Sequence, residues 1–325
     1  MFESMFSGLP RGASADPNYD PKNALQSGVY KRVLALWAPD GKPNEQIANL
    51  ATTFGVLAQL KHNYRAFCDA PQQGPLAASV KTCACVFEAA YASTDVYFYE
   101  SIAELVPDGF KRVTDKTKLA ALGIKDKVRL IDDASGRYSA LYAAGDIGAK
   151  GTRYILANRG TDDGFFAGFD FSLDAKASMA QNWGDASPQY VGAVAAAKTV
   201  AQAADASGGS VIFTGHSLGG GLATAQALAT KKRAYVFNAS GVNAATVGGS
   251  LDGADKLVTA YVYRGNWLDG WQGLGFAAKP CGKIVDIEHI HTAVGAPYNN
   301  PSDWHLLNFV IPGLFGMLQR NALSI

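Results

Sequence analysis

Residues 211–232 read VIFTGHSLGGGLATAQALATKK, and the architecture of the whole chain follows from them. An apolar β-rich run, Val211-Ile212-Phe213-Thr214, meets Gly215-His216-Ser217-Leu218-Gly219, and an Ala-rich helical run begins at Leu218. A serine with a glycine two positions away on either side, set between a strand and a helix, predicts a sharp turn that holds the hydroxyl out of the sheet. The glycines leave room for the tight backbone and the neighbouring helix. The N–H of Leu218, at the positive end of that helix, points to where the oxygen of a bound ester would lie. A Gly-Ser loop that fitted a short pattern by chance would have no reason to carry a strand before it and a helix after it.

The flanking segments fit the same plan. RYSALYAA (137–144) and TRYILAN (152–158) are β-rich runs joined by a Gly/Asp loop, as in a hairpin. SPQYVGAVAAAKTVAQAA (187–204) predicts a helix with Ser187 as its cap and Pro188 at its first position. AYVFNAS (234–240), KLVTAYVY (256–263) and KIVDIE (283–288) give further strands, and DWHLLNFVIPGLFGMLQR (303–320) closes the sequence as an apolar helix interrupted by Pro312. Strands alternating with helices imply a mostly parallel sheet covered on both faces. With the serine turn, the expected class is α/β, of α/β-hydrolase type. Residues 1–25 read as an irregular arm, and NEQIANLATTFGVLAQLKHNYRAF and LAASVKTCACVFEAAYAS carry apolar residues at helical spacing. The Pro-rich stretch at 71–75 separates them. The expected division is a helical N-terminal appendage over 1–80 and a catalytic domain over 81–325.

Composition narrows the function. Of 325 residues, 48% are apolar and 18% charged, which supports a substantial core and argues against a disordered chain. A formal net charge of +1 leaves no global field to recruit nucleic acid or an anionic membrane. The first twenty residues lack a basic segment followed by a continuous apolar one, and no stretch approaches the length of a membrane span. The expectation is a protein made in the cytoplasm without a signal peptide, exported if at all by a signal-independent route. Cys68, Cys83, Cys85 and Cys281 suit neither a disulfide framework nor a zinc ribbon and are expected as free thiols. No cofactor and no metal is expected.

A serine hydroxyl is a weak nucleophile until a base takes its proton. In this fold the chain order is Ser, acid, His, so the base is sought among His289, His291 and His305. His305 follows the last strand and its loop and is the choice, against a capping or core role. His289 and His291 lie two apart at a strand end, where a structural role or a metal pair competes. The acid belongs just past strand 256–263, where Asp269 is the only carboxylate within Arg264–Asp269; the alternative reading is a solvated turn residue. The second oxyanion donor is expected from Asn158-Arg159-Gly160-Thr161, with the Thr161 amide opposite that of Leu218.

Together YILANRGTD, NWGDASPQYVGAVAAA, the elbow block, YVYRGNWLDGWQG and SDWHLLNFVI resemble the class 3 lipase family, and more closely its bacterial Mbeg1-like branch. Together with AAYAS (89–93) the pieces span about residues 85–315 in the expected order. The resemblance implies an α/β-hydrolase core, a Ser217–His305 pair, an oxyanion hole of Thr161 and Leu218, and hydrolysis of carboxylic esters in lipids. One departure stands out: Asn266 occupies the position where that branch carries an acid, with Leu268 and Gln272 keeping the frame. An Asn can hold a histidine's tautomer but cannot offset its charge. The branch contains antibacterial lipase effectors delivered by secretion machines, so a secretion-machine or immunity-protein partner is also implied.

GFFAGFDFSL (164–173) puts four phenylalanines directly after the oxyanion loop, as a mobile apolar lid or as packing beneath it. Trp267, Trp271 and Phe276 line an acyl pocket or simply pack helices. A lipid ester, met at a membrane or micelle surface, fits this better than a sugar or peptide. Two other readings compete: a catalytically weak hydrolase fold kept as a binding module, and an esterase for small soluble esters.

Overall fold

The computed structural model describes residues 24–38, 40–42, 75–125, 130–161, 187–275, 277–287 and 307–319, with parts of 51–65 and 176–185. The strands among them are β1 (Lys111–Arg112), β2 (Ile131–Asp132), β3 (Arg137–Ala144), β4 (Arg153–Asn158), β5 (Ser210–His216), β6 (Arg233–Phe237), β7 (Val258–Tyr263) and β8 (Lys283–Ile287). They form one sheet in the order β1-β3-β4-β5-β6-β7-β8, with β2 paired to β3 off that path. β3 and β4 are the expected antiparallel hairpin, Ser139 opposite Asn158 and Ala144 opposite Arg153. From β4 to β8 every pairing is parallel. The chain is therefore of the α/β class, with a mixed, mostly parallel sheet.

The α-helices whose bounds lie among the described residues are α1 (Ala24–Trp37), α2 (Pro75–Asp95), α3 (Lys116–Ala121), α4 (Pro188–Ala206), α5 (Leu218–Thr230), α6 (Ala254–Leu257), α7 (Trp267–Gly273) and α8 (Leu307–Gln319). Alternation along the strands divides the core between the two faces. On one face Tyr235, Phe237, Tyr261 and Ile287 pack with Phe87 of α2, Val310 and Leu314 of α8, Val33 of α1, and Phe54 and Leu57. On the other, Ala234, Val236 and Ala260 meet α4 and α5 through Ala197, Val200, Ala223 and Ala227, whose small side chains let both helices lie close to the sheet. Residues on both sides of the expected boundary at 80 thus share one cluster, and the boundary itself falls inside α2.

Several local expectations are corrected. Ser187 holds the N-cap position of α4 with extended backbone, and Pro188 follows as expected, but the buried Ser187 hydroxyl makes no cap bond and has no partner among the described residues. The strand expected over 234–240 stops at Phe237, because Asn238 has φ 42°, outside the extended region. Lys256 and Leu257 belong to α6 and not to β7, since Gly253 at φ 75° starts a helical turn there. α8 runs on through Pro312. Proline removes one hydrogen bond and crowds the preceding turn at a cost of roughly 3 kcal/mol, and the burial of Val310, Ile311, Leu314 and Met317 offsets it. Among the described residues Cys85 and Cys281 are free thiols and Cys83 is buried; Cys68 lies outside them. Among the described residues no helix is long and apolar enough to cross a membrane.

Candidate active site

Ser217 stands between β5 and α5 with φ 56° and ψ −127°, a conformation that costs a non-glycine residue strain and needs its surroundings to hold it. The restraints are visible. Its N–H donates to the Phe237 carbonyl at 3.1 Å, and its own carbonyl accepts from the N–H groups of Gly220 at 2.9 Å and Ser240 at 3.0 Å. The glycines are required by close approach. A Cβ at 215 would strike the Gly219 carbonyl, one at 219 the Asn158 carbonyl, and one at 220 would lie 2.6 Å from Ala239 Cβ. A side chain at 221 would meet the Tyr190 hydroxyl. The run Gly219-Gly220-Gly221 is thus the footprint of the end of β4, the 239–241 segment and the Tyr190 side chain, all packed against the start of α5. Ser217 is 8% exposed.

The turn after β4 lies directly over this elbow. A Cβ on Gly160 would meet the Tyr97 hydroxyl, stand 2.6 Å from the His216 carbonyl and 3.3 Å from Ser217 Cβ. Thr161, half-buried, is the next residue. Asn158 fixes the start of the turn: its amide donates to Gln226 Oε1 at 2.7 Å and to the Thr214 carbonyl at 3.2 Å, and its oxygen accepts from Ser139 Oγ at 2.8 Å and Gln226 Nε2 at 3.1 Å. The Arg159 N–H donates to the Tyr138 carbonyl at 2.9 Å, and its guanidinium lies over the Tyr138 ring, 4.9 Å from the centroid. Leu218 opens α5, where the first N–H groups have no acceptor within the helix. The structure therefore brings Leu218 and the Gly160–Thr161 turn to the serine from two sides.

Two residues that the sequence reading passed over complete this wall. Tyr97 OH lies 2.9 Å from His216 Nδ1, touching the residue before the nucleophile. The turn that carries Tyr97 is pinned by Asp95 at the end of α2. That carboxylate, fully buried, accepts from Ser101 Oγ, the Ile102 N–H at 2.9 Å and the Tyr142 hydroxyl at 2.7 Å, and pairs with Arg112 at 3.4 Å. Burial pushes the Asp95 carboxyl above the usual carboxylate range, against the pull of Arg112. The only trace in the sequence was AAYASTD at 89–95, with no chemistry legible in it.

At the end of β7 the two candidates for the third position differ. Asn266 is 2% exposed and caps α7: its oxygen accepts from the N–H groups of Leu268 at 3.0 Å and Asp269 at 3.2 Å. Its NH2 donates to the Tyr263 carbonyl at 2.7 Å and reaches Asn238 Oδ1 at 3.5 Å. Asp269 pairs with Arg264 at 2.9 Å and accepts from the Gly265 N–H at 3.1 Å. Arg264 also holds Asp286 of β8 at 2.8 Å. His305, His289, His291, Phe276 and the phenylalanines of 164–173 lie outside the described residues. Among the described residues no cluster of potential metal ligands is present. A cavity of about 320 Å³ lined by Lys61, Tyr64, Phe87, Glu88, Tyr91 and Asp108 involves no residue of the elbow.

Comparison with known proteins places this site in a family. The extracellular phospholipase A1 of Serratia liquefaciens is 38% identical over 135 residues, which is 42% of this chain but only 36% of that protein. The chain thus spans little more than a third of the relative's length. A phospholipase-like family model, the Tle-like phospholipase domain, matches residues 88–296. That range takes in more than half of the chain, with the Tyr97 turn, the Gly160 turn, the serine elbow and the Asn266 cap, so the chain belongs to the Tle-like phospholipase family.

Proposed function

We propose that the protein is a serine hydrolase of α/β-hydrolase type that cleaves carboxylic ester bonds of phospholipids, and that Ser217 is its nucleophile. The observation that carries this reading is the strained backbone of Ser217, held at the C-terminal end of the central strand β5 with the first N–H of α5 on one side and the Gly160–Thr161 turn on the other. Family membership and the phospholipase A1 relative support the lipid substrate. In this reading His305 takes the Ser217 proton as the hydroxyl oxygen attacks the ester carbonyl. The Leu218 and Thr161 amides stabilise the tetrahedral oxyanion, and His305 returns the proton to the leaving alcohol. Water then attacks the acyl-enzyme by the same route, releasing the fatty acid and restoring Ser217. Asp269 holds the third position and offsets the histidine's charge. A second reading, favoured by the burial of Asn266 and its bond toward Asn238, puts Asn266 there. The class 3 lipase motifs agree with delivery as an antibacterial effector, for which a secretion machine or an immunity protein would be the partner.

The test is fatty-acid release from phospholipid vesicles together with labelling by a fluorophosphonate probe. Ser217→Ala is expected to abolish labelling and lower turnover by at least about 10³-fold, and His305→Ala to do nearly the same. A larger fall with Asp269→Ala than with Asn266→Ala supports the first reading of the third position, and the reverse supports the second. Unchanged lipid cleavage in Ser217→Ala sinks the serine mechanism; absence of labelling and cleavage in the wild type leaves the binding-module reading.

A further inference from the structure

We propose that α7 is the element by which this protein docks on a phospholipid bilayer, with Trp271 and Leu274 entering the headgroup region beside the serine. The inference rests on the phospholipase reading above and adds a binding surface to it. α7 is short and two-sided. Leu268 and Gln272, four apart and buried, face the protein, and the Gln272 amide donates to the Ala239 and Ala278 carbonyls, each at 3.0 Å. The residue after Ala239 is Ser240, whose N–H is bonded to the Ser217 carbonyl. Two hydrogen bonds therefore tie the inner face of α7 to the elbow.

The outer face is apolar and open. Trp271 is 49% exposed, and Leu274, three residues on at the helix's C-cap, is 72% exposed. Apart from the inward-facing Gln272, their nearest neighbours are Gly270, Gly273 and Gly275, and a Cβ at any of these three would meet nothing within 4 Å. A large indole and a leucine set among glycines, with open space around the backbone, let this surface approach a broad, flat partner without steric conflict. α7 follows the C-terminal end of β7 and Ser217 the C-terminal end of β5 in one parallel sheet, so both stand at the same edge. On the far side of the serine, Tyr99 is also exposed at this edge, accepting from the Arg159 guanidinium. Arg264 pairs with both Asp269 and Asp286, which leaves one carboxylate charge in excess beside the face, so a zwitterionic headgroup layer is the better match. Indole and tyrosyl side chains favour the interfacial depth of a bilayer, and a leucine beside them adds apolar burial.

The experiment separates docking from chemistry. Ser217→Ala protein is mixed with phosphatidylcholine vesicles, with and without phosphatidylglycerol, and the bound fraction is read by co-sedimentation. Adding Trp271→Ser and Leu274→Ser together is expected to weaken binding about tenfold or more, whereas Trp271→Phe holds it within about threefold. With Ser217 intact, the double variant is expected to lose about tenfold more activity on vesicles than on a water-soluble short-chain ester. Equal vesicle binding by the double variant and its parent overturns the proposal, as does a wild-type chain that hydrolyses the soluble ester yet binds neither vesicle. Binding that depends on α7 in a protein cleaving no ester upholds the docking face and removes the hydrolase reading instead.

Discussion

Ser217 keeps its φ of 56° because backbone hydrogen bonds from the end of β6, from Ser240 and from the first turn of α5 converge on it, and the residues allowing that convergence are glycines. Gly160 is the most exacting of them. The Tyr97 hydroxyl could rotate away from a new methyl group, but the His216 carbonyl, 2.6 Å from the ideal Cβ position, belongs to the elbow backbone and cannot. Gly160→Ala is therefore expected to displace the turn and its Thr161 amide by several tenths of an ångström. Vesicle hydrolysis should fall about 100-fold, the scale of losing or misplacing one oxyanion donor, with fluorophosphonate labelling slowed in parallel. Asn266 invites a different test, because placing a carboxylate there works against the local bonding. In Asn266→Asp a carboxylate oxygen replaces the NH2 group now 2.7 Å from the Tyr263 carbonyl, so two acceptors face each other in a buried place. The α7 cap survives, since Asp caps as well as Asn. The expected result is a loss of about 1–3 kcal/mol in denaturant unfolding with no gain in kcat; a gain in kcat would assign the third catalytic position to residue 266.

At the level of elements, β4 and β5 carry the site between them, and their register is locked by side chains as well as by the ladder. Asn158 sits at the last residue of β4 and bridges to Thr214 of β5 and Gln226 of α5. Asn158→Ala leaves the Gln226 amide without these partners in the core. We expect a stability loss of about 1–3 kcal/mol and a fall in kcat larger than any change in KM, because the turn proposed to carry the Thr161 oxyanion donor begins at the next residue. A change in KM alone would mean that Asn158 does not position the turn. This network also shows where sequence reading succeeds and stops. The hairpin, the elbow and the parallel strands were legible because each is written in local periodicity and in Gly, Pro and β-branched punctuation. The stop of β6 at Asn238 and the passage of α8 through Pro312 were not, since tertiary bonding and burial overrode local propensity there. Tyr97 and His216 are 119 residues apart, and a pair joined only by the fold leaves no spacing to read. The Asn158–Thr161 turn lies beside the serine, and the reason, Gly160 against the elbow backbone, needed coordinates.

For the molecule as a whole, the unsettled relation is that between the first 80 residues and the rest. Leu57 is 1% exposed and belongs to the same cluster as Phe87 of α2, Phe237 of β6 and Leu314 of α8. Tyr91, also in that cluster, donates its hydroxyl to the Leu57 carbonyl at 2.9 Å. Lys61 adds a polar tie, donating to the Glu104 carbonyl at 3.1 Å and pairing with Asp108 at 3.3 Å, although burial holds its ammonium below the usual lysine range. An appendage that lent only a docking surface would lose its own structure on such a lesion and leave the sheet alone. A segment that completes the apolar cover of one sheet face cannot be damaged without exposing Phe87 and the strands beneath it. Leu57→Ala is therefore expected to destabilise the whole chain by about 2–5 kcal/mol, the range for a leucine lost from a packed core. Far-ultraviolet dichroism and fluorophosphonate labelling of Ser217, followed through one urea titration, should shift together to lower midpoint as a single transition. Two separated transitions, with Ser217 still labelled after the first, would instead make residues 1–80 an independent unit and the catalytic sheet stable without them.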